Sequence, residues 1–229
     1  MSELGRARDT EALDQRWRVR WHDYLPAAGL TVVMVIARIT HSAPNEMSSW
    51  GVSAVALAQG RYETMPLHMF AHGGVFHLLM NSLGLLEIGG LVTARLGSFP
   101  KGWARMALAY GVAGLFSMIF YLSFRPQGNV PMIGASGAIY GLVGLLLGIR
   151  LLEELEDVEW RRFPAAMVSF VRNNVLFLAL LLVGLALASH GTRVAWEGQL
   201  GGFLFGLCVG PWLLPTSYLE PDRTVHLSD

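Results

Sequence analysis

Long apolar runs constrain this chain more than any other feature of its sequence. Of its 229 residues, 53% are hydrophobic and only 15% are charged, and the apolar residues are gathered into runs. A soluble domain of this size would carry a more charged surface. Because an apolar helix of about 20 residues matches the hydrocarbon core of a bilayer, the runs predict an all-α membrane protein.

Six segments are long and apolar enough to cross a bilayer. They cover residues 24–39, 67–91, 103–124, 135–152, 175–189 and 194–214. The loop at 41–66 contains an apolar stretch, 52–59, that is expected to form a short helix on or dipping into the membrane. The sequence therefore predicts one six-transmembrane-helix bundle over residues 23–215, between a tail at 1–22 and a tail at 216–229.

The basic residues predict the orientation of these helices. With six helices, both tails and the loops after the second and fourth helices share one side. In chain order, these four segments hold five, three, four and one of the Lys and Arg residues, thirteen of the seventeen. Since cytoplasmic loops are enriched in Lys and Arg, both termini are expected in the cytoplasm.

Net charge and cysteine content exclude some classes of partner and bond. The formal net charge is zero, so no basic field indicates binding to nucleic acid. The single cysteine, Cys208, cannot form an internal disulfide. The expected surroundings are the lipid bilayer, and nothing in the sequence indicates an oligomeric state.

Four polar side chains interrupt the predicted second helix. His68 and His72 are four residues apart, and so are His77 and Asn81, so each pair is expected to share one helical face. Such groups are costly in lipid and usually face a cavity or a partner helix. No third ligand motif accompanies the His-x-x-x-His pair, so neither a metal nor another cofactor is expected.

A small-residue motif opens the predicted fourth helix. It reads Gly134-Ala135-Ser136-Gly137, and its serine is most simply a helix N-cap. Small neighbours would also let a peptide backbone approach the Ser136 hydroxyl. The free N–H groups at a helix start then stabilise a developing oxyanion.

Glycine repeats predict that the fourth and sixth helices touch. The fourth helix carries Gly137, Gly141, Gly144 and Gly148, and the sixth carries Gly198, Gly202, Gly206 and Gly210. Small residues at this spacing let membrane helices approach closely. Gln199, which flanks Gly198, is therefore expected to lie near Ser136.

Three separated motifs together resemble the rhomboid family of intramembrane serine proteases. They are residues 72–81 (HGGVFHLLMN), residues 134–137 (GASG) with Tyr140 one turn later, and residues 199–203 (QLGGF). The resemblance extends over about residues 24–214. It implies a six-helix bundle, of the bacterial inner (plasma) membrane type, with a water-filled cavity open to the outside. The implied substrates are transmembrane segments of other proteins.

The resemblance also implies roles for individual residues. Ser136 takes the position of the nucleophile. The oxyanion is bound by His77 and Asn81, together with the backbone N–H groups of Ala135 and Ser136. The supporting positions are His72, Gly134, Gly137, Tyr140 and Gly202.

Gln199 departs from the family pattern, which has the general-base histidine at this position. A serine hydroxyl is a weak nucleophile until a neighbouring base takes its proton, and an amide cannot do so near neutral pH. This chain is therefore expected to cleave poorly or not at all. Sequence alone leaves open whether Gln199 is natural or a replacement.

Two other functions remain open at this stage. A pseudoprotease would bind transmembrane segments without cutting them, which fits Gln199. A small-solute transporter or channel would explain the polar side chains within the helices, but not the motif around Ser136. The transporter predicts solute flux in liposomes, whereas the protease predicts Ser136-dependent cleavage.

Overall fold

The computed structural model describes residues 19–41, 46–155, 168–169, 172 and 195–213. Its long helices in this part of the chain are α1 (Leu25–Thr40), α2 (Val75–Leu96), α3 (Lys101–Phe124), α4 (Ser136–Leu155) and α5 (Trp196–Val209). Short helical segments lie at Trp21–Tyr24, Glu46–Ser49, Ala54–Ala58, Thr64–Leu67 and Gly210–Leu213. The described residues form no β-strand, which confirms the all-α fold class.

Four helical segments of the described part are long and apolar enough to cross a membrane. They are Trp21–Thr40, Val75–Leu96, Lys101–Phe124 and Ser136–Glu153. They correspond to the first four predicted spans, and α5 corresponds to the sixth. The predicted fifth span, 175–189, lies outside the described residues, as do most of both tails. The count of six helices therefore stays a prediction.

The predicted start of the second helix, at residue 67, is wrong. The structure has a short helix at Thr64–Leu67, a non-helical segment at 68–74, and then α2 from Val75. Gly73 and Gly74 explain the break, because glycine weakens a helix and Gly74 adopts an extended conformation before Val75. His68 and His72 therefore do not stack on one face of the spanning helix.

The predicted contact between the two glycine-lined helices, α4 and α5, is confirmed. A methyl group at Gly202 would clash with the carbonyl oxygen of Gly137, and one at Gly206 would clash with that of Gly141. Only glycine allows backbones to approach this closely. Helix α3 packs against the same pair of helices.

Replacing Gly202 with alanine is expected to destabilise the helix bundle by about 1–3 kcal/mol, because the added methyl group must push α4 and α5 apart. Gly111→Ala is the matched control, since no other described part of the chain comes within 4 Å of a methyl group at that position on α3. Unfolding of the purified protein in mixed detergent micelles measures both effects. Equal stability of the two variants would contradict the close approach of α4 and α5.

An extended segment precedes Ser136. Its Met132 forms an isolated antiparallel bridge with Val52 of the long loop, with N–H···O distances of 2.8 and 3.0 Å. The predicted short helix of this loop is present as Ala54–Ala58, capped by the Ser53 hydroxyl. The long loop is therefore tied to the segment that precedes Ser136.

Candidate functional site

Ser136 is the first residue of α4, and the turn before it depends on glycine. Gly134 has a φ of +113°, a conformation that other residues rarely adopt. Its N–H donates to the carbonyl oxygen of His68 at 2.8 Å. Ala135 is fully buried, whereas Ser136 is only partly buried. The backbone thus holds Ser136 at an accessible helix start, where N–H groups lack intrahelical partners.

His77 and Asn81 lie together beside this turn. A methyl group at Gly134 would be 2.7 Å from Nε2 of His77 and 3.6 Å from Nδ2 of Asn81. Both side chains come from α2, one helical turn apart, as predicted. Within the described part of the chain, Nδ2 of Asn81 is buried and has no hydrogen-bond partner. A side chain N–H group is therefore available to bind an oxygen near Ser136.

His68 and His72 lie in the non-helical segment before α2, and each ring bonds a nearby backbone carbonyl. The Nδ1 of His68 donates to the Met65 carbonyl at 2.7 Å, and that of His72 donates to the Phe70 carbonyl at 3.1 Å. Burial lowers the pKa of each histidine to about 4, so both are neutral at pH 7. The His72 ring meets the His77 ring edge-on, with centroids 5.0 Å apart.

Gln199 lies in the first turn of α5, next to a close contact with α4. A methyl group at Gly137, the neighbour of Ser136, would be 3.4 Å from the carbonyl oxygen of Gly198, the neighbour of Gln199. Gln199 is buried, and within the described residues its Oε1 accepts no hydrogen bond. The starts of α4 and α5 thus bring together Gly137 and Gly198, which are the neighbours of positions 136 and 199.

Two supporting positions lie further along the same helix contact. Tyr140, one turn after Ser136, belongs to an apolar cluster that includes Phe203, one turn after Gln199. A methyl group at Gly202 would reach Gly137 and Gly141 of α4. The predicted supporting residues of α4 and α5 therefore line the interface that sets the spacing of the site.

Sequence reasoning missed Ser117 on α3. A methyl group at Gly198 would be 2.8 Å from the Ser117 hydroxyl oxygen, and one at Gly137 would clash with the same atom. Ser117 is buried and lies between the starts of α4 and α5. A clue existed in the sequence, since Ala113, Gly114 and Ser117 give α3 a small-residue face.

Sequence reasoning also missed an ion pair at the start of α5. Arg125, which follows the last residue of α3, donates from Nε and Nη2 to Oε1 of Glu197, at 3.0 and 2.8 Å. Nothing in the sequence links these two residues, which are 72 positions apart. The Glu197 side chain therefore points toward the end of α3, where its Oε1 accepts both hydrogen bonds from Arg125.

These positions combine the parts needed for acyl transfer, except a base. The Ser136 hydroxyl lies at a helix start, and donors from α2 lie beside the preceding turn. The side chain of Gln199, at the start of α5, is an amide, which is not a base near neutral pH. The arrangement suits attack on a carbonyl group more than passage of a solute, because its donors converge on one helix start.

Comparison with known proteins points to one family. The family model described as "Rhomboid domain" matches residues 59–216. The chain is 27% identical over 150 residues to "Rhomboid protease GluP" of Bacillus subtilis (strain 168), which covers 66% of this chain and 26% of that protein. It is 30% identical over 158 residues to "RHOMBOID-like protein 2" of Arabidopsis thaliana, covering 68% and 44%.

A third relative matches over more of the chain. "Rhomboid-like protease 2" of Toxoplasma gondii is 24% identical over 197 residues, which is 85% of this chain and 62% of that protein. The matched region is thus less than two thirds of the length of each of these three relatives. The match to the family model, residues 59–216, includes every position described in this site.

Proposed function

Because the chain belongs to the rhomboid family, we propose that its membrane domain is built to cleave transmembrane segments of other membrane proteins, with Ser136 as the nucleophile. One observation carries this proposal. His77 and Nδ2 of Asn81 both lie beside Gly134, two residues before Ser136, and that Nδ2 has no hydrogen-bond partner among the described residues. Donors placed beside a nucleophile on another helix are the arrangement that acyl transfer requires.

The proposed reaction follows from the positions of these groups. The Ser136 hydroxyl oxygen attacks the carbonyl carbon of the scissile peptide bond, and its proton passes to a base at position 199. The oxygen that becomes negative is bound by the side chains of His77 and Asn81, with backbone N–H groups at the start of α4. The base returns the proton to the leaving amine, and water then hydrolyses the acyl-enzyme.

Gln199 leaves the two proton transfers of this reaction without a group to perform them. The carboxamide neither accepts the Ser136 proton near pH 7 nor returns it to an amine. Glu197 does not substitute, because it lies about 200° around α5 from position 199 and its Oε1 binds Arg125 at the end of α3. We therefore expect the unchanged chain to bind a substrate segment but to cleave it slowly or not at all.

Gln199 favours a second candidate function, binding of transmembrane segments without cleavage. An uncleaved segment could use the same donors, and its backbone N–H groups could bond the free Oε1 of Gln199. Photo-crosslinking of a substrate segment to the cavity, with an unchanged cellular phenotype after Ser136→Ala, would support this function. A phenotype lost with Ser136→Ala would exclude it.

The surroundings of the site are also part of the proposal. The chain is an integral, multi-pass membrane protein. We place both termini in the cytoplasm, since thirteen of seventeen basic residues lie on that side of the six-helix arrangement. The site at the start of α4 then faces the outer side of a bacterial inner membrane. No cofactor takes part in the proposed chemistry.

A serine-directed fluorophosphonate tests the proposed roles of Ser136 and position 199. We expect the Gln199→His variant to be labelled at Ser136 and the unchanged chain to be labelled at least about a hundredfold more slowly, because the probe also needs an activated hydroxyl. Peptide mass spectrometry locates the adduct, and Ser136→Ala in the Gln199→His chain is the control. Equal labelling with and without Ser136 would contradict the proposal.

A further inference from the structure

The ion pair between Arg125 and Glu197 is more constrained than a surface ion pair. Both nitrogens of Arg125 that contact Glu197 donate to the same carboxylate oxygen, at 3.0 and 2.8 Å. The Glu197 side chain is only 5% exposed, whereas that of Arg125 is 39% exposed. Because a buried carboxylate is costly unless it is paired, the direction of Glu197 is fixed by Arg125.

The same arginine is linked to the segment that leads to Ser136. Its guanidinium carbon lies 5.3 Å from the centre of the Tyr121 ring. The Tyr121 hydroxyl donates to the carbonyl oxygen of Val130 at 2.8 Å. Two residues later, Met132 forms the bridge with the long loop. One network at the end of α3 thus contacts the chain before Ser136 and the start of α5.

Glu197 and Gln199 lie in the first turn of α5, two residues apart. Two residues correspond to about 200° around a helix, so these side chains leave the helix in nearly opposite directions. Fixing Glu197 toward the end of α3 therefore fixes the direction in which position 199 points. The glycine contacts of α5 with α4 set the distance between these two helices.

We infer that Arg125 and Glu197 are positioning residues for the proteolytic site, which hold the first turn of α5 in the rotation that directs side chain 199 toward Ser136. This inference rests on the proposed function, because it assumes that positions 136 and 199 work as a pair. Neither residue touches the reacting atoms. Their effect passes through the backbone of α5 and through Tyr121.

The kinetic test uses the Gln199→His chain with a model transmembrane substrate. Glu197→Gln is expected to lower kcat about ten- to a hundredfold with little change in KM, because a displacement of about 1 Å costs that much in rate. Arg125→Gln with Glu197→Gln should cost no more than either change alone, since both remove the same interaction. Glu63→Gln is the matched control, because its pair with Arg61 is exposed and 3.7 Å long.

A second test does not depend on activity. Ser136→Cys and Gln199→Cys are combined with Cys208→Ala, so that the two new thiols are the only ones in the chain. Mild oxidation should form a disulfide between positions 136 and 199, and Glu197→Gln should slow its formation at least about fivefold. If a single variant does not fold, the double variant Arg125→Gln with Glu197→Gln takes its place, because it buries no unpaired charge. Its disulfide should form at least about fivefold more slowly as well.

The two tests separate the inference from the proposed function. An inactive Gln199→His chain with cross-linking that depends on Glu197 would refute the proteolytic function but support the positioning role. An active Gln199→His chain in which Glu197→Gln changes neither kcat nor the rate of cross-linking would overturn the positioning role alone. A chain with the ion pair intact that forms no cross-link would overturn both.

Discussion

The Gln199→His variant is expected to cleave a model transmembrane substrate at least about a thousandfold faster than the unchanged chain. Histidine supplies the base that Gln199 lacks, and loss of the base from a serine nucleophile typically costs three orders of magnitude or more. Initial rates of product formation in proteoliposomes, followed on gels, measure the effect. The increase should appear mainly in kcat, because the position contacts the reacting proton rather than the bulk of the substrate.

Two controls make this result specific. Ser136→Ala in the Gln199→His chain should return the rate to background, because the nucleophile is then missing. Gln199→Asn should stay at the rate of the unchanged chain, because it keeps an amide and supplies no base. Cleavage that rises with Gln199→His but persists without Ser136 would exclude Ser136 as the nucleophile.

Loss of the side chain at Asn81 is expected to have the second largest effect. In the Gln199→His chain, Asn81→Ala should lower kcat about a hundredfold or more with KM nearly unchanged, because removing one oxyanion donor typically has this effect. His77→Ala should act in the same direction. The reason lies in the position of both side chains beside Gly134. Steady-state kinetics in detergent micelles measure both variants.

Asn129→Ala serves as the control for this pair of variants. Asn129 is exposed and lies in the segment between α3 and α4, so its loss removes an amide without touching the site. An Asn81→Ala variant as active as Asn129→Ala would mean that the oxyanion is bound elsewhere. If Asn81→Ala lowers the stability of the protein as well as kcat, Asn81 acts in packing.

The contact between α4 and α5 was predictable from sequence because glycine spacing carries geometric information. Gly198, Gly202 and Gly206 recur every four residues, so they share one face of a helix. That face could only be the side on which another backbone approaches closely, and Gly137 and Gly141 offered the matching surface. The pairing of Asn81 with His77 was also predictable from spacing, because the two residues are four positions apart within one unbroken helix.

The start of α2 was not predictable from hydrophobicity. Leu67, Met69 and Phe70 are as apolar as the helix that follows, so the run reads as one span. In the structure, Met69 instead packs into the space left by Gly114 of α3, and its carbonyl accepts a hydrogen bond from Tyr110 at 3.4 Å. Contacts of this kind depend on tertiary structure, and a periodic pattern does not carry them.

The ion pair of Arg125 with Glu197 was not predictable from the sequence, for a similar reason. Either residue alone is typical of a helix end near the membrane surface, where charged groups meet water. Their pairing depends on the end of α3 lying beside the start of α5. The sequence indicates only that Glu197 faces away from position 199.

An experimental structure of the Gln199→His chain with a bound phosphonate tests the central claim most directly. We expect the phosphorus on the Ser136 hydroxyl oxygen, the phosphonyl oxygen within hydrogen-bond distance of Nδ2 of Asn81, and the new imidazole about 3 Å from the Ser136 oxygen. A phosphonate on another residue would contradict the account. So would an imidazole turned away from Ser136, with packed apolar side chains between them.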